Sequence, residues 1–258
     1  MISEKAIVDK SSKLESSVEV GPFSIIGKEV EIGKNVKIQS HVVITGNTSI
    51  SDNCDIYSFA SIGSTPQDLK FKGEKTKLII GKKNKIREYV TINPGTEHGG
   101  GVTIIGDNCL FMISSHIAHD CKIGNNVIIA NNVAIAGHVE IDDNVIIGGN
   151  SAVQQFTRIG KLAMIGGMTG VEKDVIPYGL VTGNRSHLEG INIIGLKRAG
   201  YSSEEINGLN QAVKLIFSNV LLKSGIEEAK KFSNFKTVCE VISFLEKSEK
   251  RPICRPLK

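Results

Sequence analysis

The sequence contains no tryptophan, and aromatic residues make up only 5% of its 258 positions. A globular core usually relies on large aromatic side chains, whereas a narrow stacked solenoid has little room for them. The chain also contains 27 glycines, a residue type that suits sharp backbone turns. These features together favour a solenoid over a conventional globular core.

Long apolar runs and paired cysteines are also missing. No window approaches the roughly 18 apolar residues of a membrane span, and the first ten residues lack the apolar core of a secretory signal. The five cysteines are odd in number and show no Cys-x-x-Cys spacing, which indicates reduced thiols in a cytoplasmic protein. The net charge of +4 argues against a dedicated nucleic-acid binder, although it permits an acidic partner or a phosphate-bearing ligand.

Aliphatic residues recur at every sixth position over most of the chain. This series of anchors runs through Val8–Ile62, returns over Ile80–Ile92, and resumes over Ile105–Val171, where only Phe111 is not Val, Ile or Leu. Period six matches neither an amphipathic helix nor a simple alternating strand. It is typical of short strands that bend at regular corners, with each anchor pointing towards a shared axis. Glycine often follows the anchor, as at Gly124, and we expect it there because a corner needs a permissive backbone.

This pattern resembles the hexapeptide-repeat family. The resemblance implies an all-β solenoid, a left-handed parallel β-helix with three faces and about 18 residues per coil, and side-by-side packing into trimers. The left hand comes from the resemblance, because the general rule for parallel crossovers predicts the opposite hand. We expect the β-helix to occupy residues 1–185 and a small C-terminal α-helical domain to occupy residues 186–258.

Two loops interrupt the repeat, at residues 64–79 and 93–103, and the second is rich in glycine. Loops on a rigid scaffold often carry function, although tolerated surface insertion accounts for them equally well. After Pro177 the repeat stops. Helical spacing then predicts a helix at 202–220, opened by a capping box of Ser202 and Glu205, and shorter helices near 226–232 and 235–248.

The segment H-I-A-H-D-C at 116–121 places two imidazoles and a carboxylate in this apolar pattern. Adding one coil of about 18 residues places Gly137 beside His119, and His138 beside Asp120, roughly 5 Å apart. A histidine is the usual general base at neutral pH, and a neighbouring carboxylate can fix its tautomer. The exposed amide of Gly137 could hold an oxyanion during acyl transfer.

Alternative roles for this cluster stay open. Solvated corner histidines need no function, and histidines on trimeric β-helices bind zinc in carbonic-anhydrase relatives of the fold. Strand geometry would not direct His116 and His119 at one ion, so we expect no metal and no cofactor. A small-molecule acetyltransferase and a non-catalytic scaffold are further alternatives.

Four segments carry a closer resemblance: H-I-A-H-D-C, N-N-V-A-I-A-G-H-V at 131–139, Q-D-L-K at 67–70 and G-L-K-R at 195–198. Together they resemble the UDP-N-acetylglucosamine acyltransferases, which catalyse the first step of lipid A biosynthesis. The resemblance implies transfer of a 3-hydroxyacyl chain from acyl carrier protein to the 3-hydroxyl of UDP-N-acetylglucosamine, in a cleft between subunits of a homotrimer. A later N-acyltransferase of the pathway carries an extra N-terminal uridine-binding domain, for which repeats starting by Val8 leave no room.

The resemblance also implies residue roles. His119 would be the general base, Asp120 its orienting partner and Gly137 the oxyanion donor. Gly167 would stand where acyl-chain length is limited, leaving room for a longer chain that Met168 beside it could shorten. The other residues would line the substrate site, the last four contacting the nucleotide sugar: Gln67, Asp68, Lys70, His116, His138, Gln155, Asn192 and Arg198.

Several positions depart from the family pattern. Gln154 replaces a frequent histidine, Ile194 a frequent acidic residue and Ala199 a frequent second arginine, while Asn93-Pro94 replaces a basic pair. None of them is the expected base. They leave open whether the acceptor sugar carries a 3-hydroxyl or a 3-amine.

Overall fold

A computed structural model describes residues 1–247 and 251–257. Its strands are, in chain order, β1 (Ile7–Val8), β2 (Lys13–Leu14), β3 (Glu19–Val20), β4 (Ile25–Ile26), β5 (Glu31–Ile32), β6 (Lys37–Ile38), β7 (Val43–Ile44), β8 (Asn47–Ile50), β9 (Asp55–Ile56), β10 (Ser61–Ile62), β11 (Lys77–Ile80), β12 (Lys85–Ile86), β13 (Thr91–Ile92), β14 (Val102–Ile105), β15 (Leu110–Phe111), β16 (His116–Ile117), β17 (Lys122–Ile123), β18 (Ile128–Ile129), β19 (Ala134–Ile135), β20 (Glu140–Ile141), β21 (Ile146–Ile147), β22 (Ala152–Val153), β23 (Arg158–Ile159), β24 (Met164–Ile165), β25 (Gly170–Val171), β26 (Gly179–Thr182) and β27 (His187–Ile191).

Every third strand lies in the same sheet, so the chain winds around three flat faces. Sheet 1 runs from β1 through β4 to β25, sheet 2 from β2 through β5 to β23, and sheet 3 from β3 through β6 to β24, β26 and β27. Neighbouring strands are parallel except for the last pair, β26 and β27. The predicted left-handed parallel β-helix is confirmed.

Burial accounts for the six-residue period. In most two-residue strands the second residue is a buried anchor and the first lies on the outer surface. The residue two before the anchor is also fully buried, as at Val36 and Val133, and it fills the corner of the narrow core. Each buried aliphatic side chain contributes roughly 1.5–3 kcal/mol, and β-branched residues suit the short strands.

The predicted reason for glycine after the anchor is wrong. The left-handed backbone lies two residues later, at non-glycine positions such as Asn126 with φ of 56°, because asparagine tolerates that conformation. Gly124 is needed for close approach instead, since a Cβ there would lie 2.6 Å from a carboxylate oxygen of Asp143 on the next coil.

Both loops leave the β-helix at the corner between sheets 1 and 2, which we call the 1–2 corner. They are shorter than predicted, because Lys77–Ile79 and Val102–Thr103 belong to strands. These residues pair with each other across β11 and β14, which supplies the backbone hydrogen bonds that an open loop would lack. A short 3₁₀ helix, Glu97–Gly99, lies in the second loop.

The described part of the C-terminal region contains four α-helices: α1 (Ile193–Arg198), α2 (Ser203–Ser218), α3 (Leu222–Ala229) and α4 (Lys236–Glu246), with a 3₁₀ turn at Lys230–Phe232. The Ser202 half of the capping box on α2 is confirmed, since its side chain accepts a hydrogen bond from the Glu205 amide, whereas the Glu205 carboxylate accepts from the Thr237 amide instead. α1 was not predicted, and α3 begins earlier than expected. Residue 248, the end of the last predicted helix, lies outside the described residues.

The division of the chain at residue 185 stays a prediction, and β27 still pairs with sheet 3 beyond it. The last described segment returns to the β-helix, where Ile253 bridges to Asp174. The Asp174 carboxylate accepts hydrogen bonds from both Arg158 and Arg251, which fastens this segment to the final coils. Within the described part of the chain, no helix has both the length and the apolar character to cross a membrane.

Candidate active site

His119 and Asp120 lie side by side at the 1–2 corner that follows β16. The Nδ1 atom of His119 is 2.7 Å from Oδ2 of Asp120. The Asp120 side chain is fully buried, whereas 13% of the His119 side chain is exposed. Donation from Nδ1 to the carboxylate leaves Nε2 with a free lone pair, which is the arrangement of a general base.

The Asp120 carboxylate is fixed from the second loop. Its Oδ1 accepts a hydrogen bond of 2.8 Å from the Thr96 amide, and its Oδ2 accepts one of 2.6 Å from the Thr96 hydroxyl. The Asp120 amide donates to the Thr103 hydroxyl at 2.8 Å. A buried carboxylate is costly unless it accepts such hydrogen bonds. These contacts therefore provide partners for both carboxylate oxygens and fix their orientation.

The next coil confirms the spacing that places Gly137 and His138 against this pair. The His138 amide donates to the His119 carbonyl at 3.0 Å, and the two imidazole rings lie 5.0 Å apart in an edge-on arrangement. A Cβ on Gly137 would lie 2.6 Å from Cε1 of His119. Only glycine therefore leaves space for the His119 ring.

The Gly137 amide donates no hydrogen bond to any residue that the structure describes. The matching amides of Lys28 and Gln155 at other 1–2 corners are open in the same way. Gly137 differs from them because it lacks a side chain and lies against the candidate base. Gly137 itself is buried and not exposed as expected, because the His119 ring packs against it.

Burial sets the charge of the two neighbouring histidines. It lowers the pKa of His116, and His119 acts in the same direction. It also lowers the pKa of His138, against the opposing influence of the Asp120 and Asp68 carboxylates. Both imidazoles are therefore neutral at pH 7 and act as hydrogen-bonding groups. His116 uses its Nδ1 towards the Thr91 hydroxyl, at 2.7 Å.

The first loop reaches this corner. Asp68 lies near enough to His138 to influence its pKa, and Gln67 and Lys70 are exposed beside it. On the far side, Gln155 is exposed next to Phe156, whose ring stacks on the His138 ring at 4.3 Å. The structure thus gathers nine of the predicted residues at one corner: Gln67, Asp68, Lys70, His116, Gly137, His138, Gln155 and the pair His119 and Asp120.

Asn192 and Arg198 lie elsewhere in the same chain. They line an open, largely apolar cavity of about 920 Å³ against the outer surface of sheet 3, together with Ile194 and Ala199. The Asn192 side chain caps α1, accepting from the Gly195 amide and donating to a backbone carbonyl. Within one chain these residues do not meet His119.

Gly167 and Met168 lie at the corner between sheets 3 and 1, which we call the 3–1 corner. Met168 has a left-handed backbone with φ of 57°, and 77% of it is exposed. A single chain therefore divides the predicted residues among three separate surfaces.

Metal binding by this cluster requires different residues from the pair His116 and His119 considered in the sequence. His119, Asp120 and His138 offer ligand atoms within 4.8 Å of one another, and His116 is not among them. The contact of 2.7 Å between His119 and Asp120 is a hydrogen-bond distance and needs a proton between the two atoms. Both carboxylate oxygens also accept from Thr96, so the arrangement favours acid–base chemistry.

The sequence did not identify Thr96, Thr103 or Phe156 as parts of the site. Phe156 could have been found, because it lies one coil after His138 at the same corner. Thr96 could not, since its position depends on the path of the second loop. The glycine-rich composition of that loop indicated that the loop could carry function, but it did not single out Thr96.

Comparison with known proteins gives consistent results over the whole chain. The family model for bacterial transferase hexapeptide repeats matches residues 11–46 and 102–137, and the model for domain 2 of UDP-N-acetylglucosamine O-acyltransferase matches residues 174–254. The acyl-[acyl-carrier-protein]–UDP-N-acetylglucosamine O-acyltransferase of Thermodesulfovibrio yellowstonii is 47% identical, over 98% of this chain and 99% of that protein. The enzyme of the same name from Azorhizobium caulinodans is 45% identical, over 99% and 95%.

Solved structures agree with these sequence matches. The UDP-N-acetylglucosamine O-acyltransferase of Moraxella catarrhalis is 42% identical with a TM-score of 0.95, covering 98% of this chain and 99% of that one. The UDP-N-acetylglucosamine acyltransferase of Francisella novicida is 40% identical with a TM-score of 0.94, covering 99% and 94%. With identity and coverage at this level along its whole length, the chain belongs to the UDP-N-acetylglucosamine O-acyltransferase family and is an acyltransferase.

Proposed function

We propose that the chain transfers a 3-hydroxyacyl group from acyl carrier protein to the 3-hydroxyl of UDP-N-acetylglucosamine, as the first step of lipid A biosynthesis. The names of its relatives support the acceptor and the carrier. The observation that carries the chemistry is the His119–Asp120 pair, with its free Nε2, beside the unpaired amide of Gly137.

The proposed reaction needs one proton acceptor and one oxyanion donor. Nε2 of His119 removes the proton of the sugar hydroxyl as its oxygen attacks the thioester carbonyl. The resulting oxyanion lies against the Gly137 amide. When the tetrahedral intermediate collapses, the carbon–sulfur bond breaks and the thiolate leaves with the proton from His119. The products are the sugar ester and the free thiol of the carrier, and no metal or cofactor takes part.

Asp120 has an electrostatic role in this scheme. The imidazolium that forms during attack lies 2.7 Å from its carboxylate, which stabilises the positive charge and keeps Nδ1 protonated. His116 and His138 are neutral neighbours that can hydrogen-bond to substrate. Gln67, Asp68, Lys70 and Gln155 surround the same corner, and we propose that they bind the sugar and the acyl carrier arm.

We also propose a homotrimer, because the three faces differ in character. Sheet 2 is charged on its outside, with pairs such as Lys122 and Glu140 at 2.9 Å. The later strands of sheet 3, β21 and β24, present large apolar residues on their outside, Ile146 and Met164. Sheet 1 beside the site presents small residues on its outside, such as Ala134 and Ala152. Large apolar residues on one copy can therefore pack against small ones on the next.

The 3–1 corner is the edge that these two faces share, so it would lie at the threefold axis. It carries an exposed column of stacked rings with centroids 5.0, 5.0 and 5.1 Å apart: Phe23, His41, Phe59 and Tyr89. In this arrangement sheet 1 of one copy faces sheet 3 of its neighbour. That would bring Asn192 and Arg198 of one copy towards His119 of another, in one substrate cleft.

The remaining parts of the proposal concern the acyl group and its carrier. Gly167 has no side chain, so the groove beside it would accept a longer acyl chain unless Met168 folds across it. The basic residues Lys197, Arg198 and Lys214 would attract an acidic carrier protein. A cytoplasmic location is supported by five free cysteines, four of them buried.

The test is product formation by the purified protein. UDP-N-acetylglucosamine is incubated with carrier protein bearing 3-hydroxyacyl chains of several lengths, and the acylated nucleotide is measured by mass spectrometry. We expect ester product with at least one chain. If product forms only with the 3-amino sugar, that sugar replaces UDP-N-acetylglucosamine as the proposed acceptor. If no product forms with any chain and either sugar, acyl transfer is contradicted.

A further inference from the structure

The buried Asp120 carboxylate depends on one residue of the second loop for most of its hydrogen bonds. Its Oδ1 accepts from the Thr96 amide, and its Oδ2 accepts from both the Thr96 hydroxyl and Nδ1 of His119. The His138 Nδ1 is 3.9 Å from Oδ2, beyond hydrogen-bond distance. Among the described residues, only Thr96 thus bonds to both oxygens.

Thr96 is itself held firmly. It is buried with 1% exposure, and its carbonyl accepts hydrogen bonds from the amides of Gly99 and Gly101 at 3.1 and 2.8 Å. The amide of Gly95 beside it donates to the Lys77 carbonyl on β11. The loop therefore presents Thr96 from a hydrogen-bonded turn, and a backbone amide and a hydroxyl from one residue reach the carboxylate together.

Gly99 completes the enclosure of the carboxylate. A Cβ at this position would lie 2.0 Å from Cγ of Asp120 and 2.1 Å from Oδ2, far inside ordinary contact. Its φ is outside the left-handed region, so the need for glycine there is steric. The side chain of Asp120 occupies the space that any larger residue would fill.

We infer that Thr96 is a positioning residue for the proposed acyl transfer, acting through Asp120 to set the tautomer and direction of the His119 base. No hydrogen bond joins it to His119 among the described residues, and it is buried, so it acts on the base through the carboxylate. Its hydroxyl removes the rotational freedom of the carboxylate, so that Oδ2 stays aligned with Nδ1 of His119. This inference rests on the proposed function for its kinetic test, and it has a spectroscopic test that does not.

The kinetic test compares Thr96→Val, which keeps the backbone bond and the shape, with Thr96→Ser, which keeps the hydroxyl. Loss of a charge-assisted hydrogen bond predicts that Thr96→Val lowers kcat roughly 10- to 100-fold with KM nearly unchanged. Thr96→Ser should recover most of the loss. Thr237→Val is the matched control, because Thr237 is buried in α4 and its hydroxyl has no hydrogen-bond partner among the described residues.

A double variant separates positioning from general stability. If Thr96 acts through Asp120, then Thr96→Val should change kcat by less than about twofold in an Asp120→Ala background, because the residues act as one unit. Equal losses in both backgrounds would overturn the inference. Equal activity of Thr96→Val and the wild-type protein would overturn it as well.

The spectroscopic test follows the proton on Nδ1 of His119 in protein labelled with ¹⁵N-histidine. A proton shared with a carboxylate gives a strongly downfield resonance, assigned by its loss in His119→Ala. It should shift in Thr96→Val and return in Thr96→Ser. A resonance that is absent from the wild-type protein or unchanged in Thr96→Val would overturn the inference. An inactive wild-type protein in which the resonance shifts as expected would instead contradict the proposed function alone.

Discussion

Gly137→Ala tests the contact between two coils on which the site depends. The φ of Gly137 is outside the left-handed region, so alanine suits the backbone and by itself would stabilise the fold by about 0.4–1 kcal/mol through the unfolded state. The new Cβ, however, would lie 2.6 Å from Cε1 and 2.8 Å from Nε2 of His119. The ring must therefore retreat by roughly 0.8 Å to regain ordinary contact.

A displacement of about 1 Å in a catalytic group typically costs about 10²-fold in rate, or about 2.7 kcal/mol in the activation barrier. We expect this loss in kcat of Gly137→Ala, measured from initial rates of acylated nucleotide formation. The Gly137 amide is retained, so the loss would report the position of His119 and not the absence of an oxyanion donor. Overpacking should also destabilise the fold by about 1–3 kcal/mol, partly offset by the backbone effect.

Two controls make this result specific. Gly27→Ala places a methyl at the same corner far from the site, where its nearest neighbour is the Thr45 methyl at 3.2 Å, and it should keep full activity. In a His119→Ala background the ring is gone, so Gly137→Ala should no longer lower the thermal stability. A Gly137→Ala protein with kcat within threefold of the wild-type value would refute the proposed packing.

Three further predictions concern other parts of the chain. Burial raises the pKa of Cys121 to about 12, whereas Cys239 is exposed. At about pH 8 iodoacetamide should therefore alkylate Cys239 at least tenfold faster than Cys121, as measured by peptide mass spectrometry. Equal alkylation rates would contradict the burial of the Cys121 thiol. The pKa of His116 is lowered below its ordinary value of 6.5, so at mildly acidic pH the unfolded chain binds more protons than the folded one and acid favours unfolding. Lowering the pH from about 7.5 to 5.5 should therefore reduce the Tm less in His116→Gln than in the wild-type protein. An equal pH dependence of Tm in the two proteins would count against this. Phe59→Glu should dissociate the proposed trimer, as measured by sedimentation, whereas Ile79→Glu on the charged sheet 2 should not. A Phe59→Glu protein that is still a trimer would contradict the placement of the 3–1 corner at the threefold axis.

Much of the fold follows from one periodic feature of the sequence. Each anchor is buried because a six-residue period returns the same position to the core at every face, as at Ile44 and Ile147. The family resemblance supplied the hand of the coil, which periodicity alone does not determine. The prediction for the glycines is wrong, because close approach between coils is a property of neighbouring segments and not of local backbone preference.

The candidate site was predictable where it follows from the same period. One coil separates His119 from Gly137, and the structure brings them into contact. The contact between Thr96 and Asp120 was not predictable, because a loop of irregular path joins them. β27 and α1 were also missed, since the first is an antiparallel return and the second is only six residues long, too short for helical periodicity to show.

The measurement that most directly tests the proposed chemistry is kcat for His119→Ala beside the wild-type protein, with folding and assembly checked by circular dichroism and sedimentation. His119 is not one of the buried aliphatic residues that fill the core of the β-helix, so its loss should leave the β-helix intact. Removal of a general base should lower kcat by roughly 10²- to 10⁴-fold. A folded His119→Ala protein that keeps more than a tenth of the wild-type rate would contradict His119 as the base.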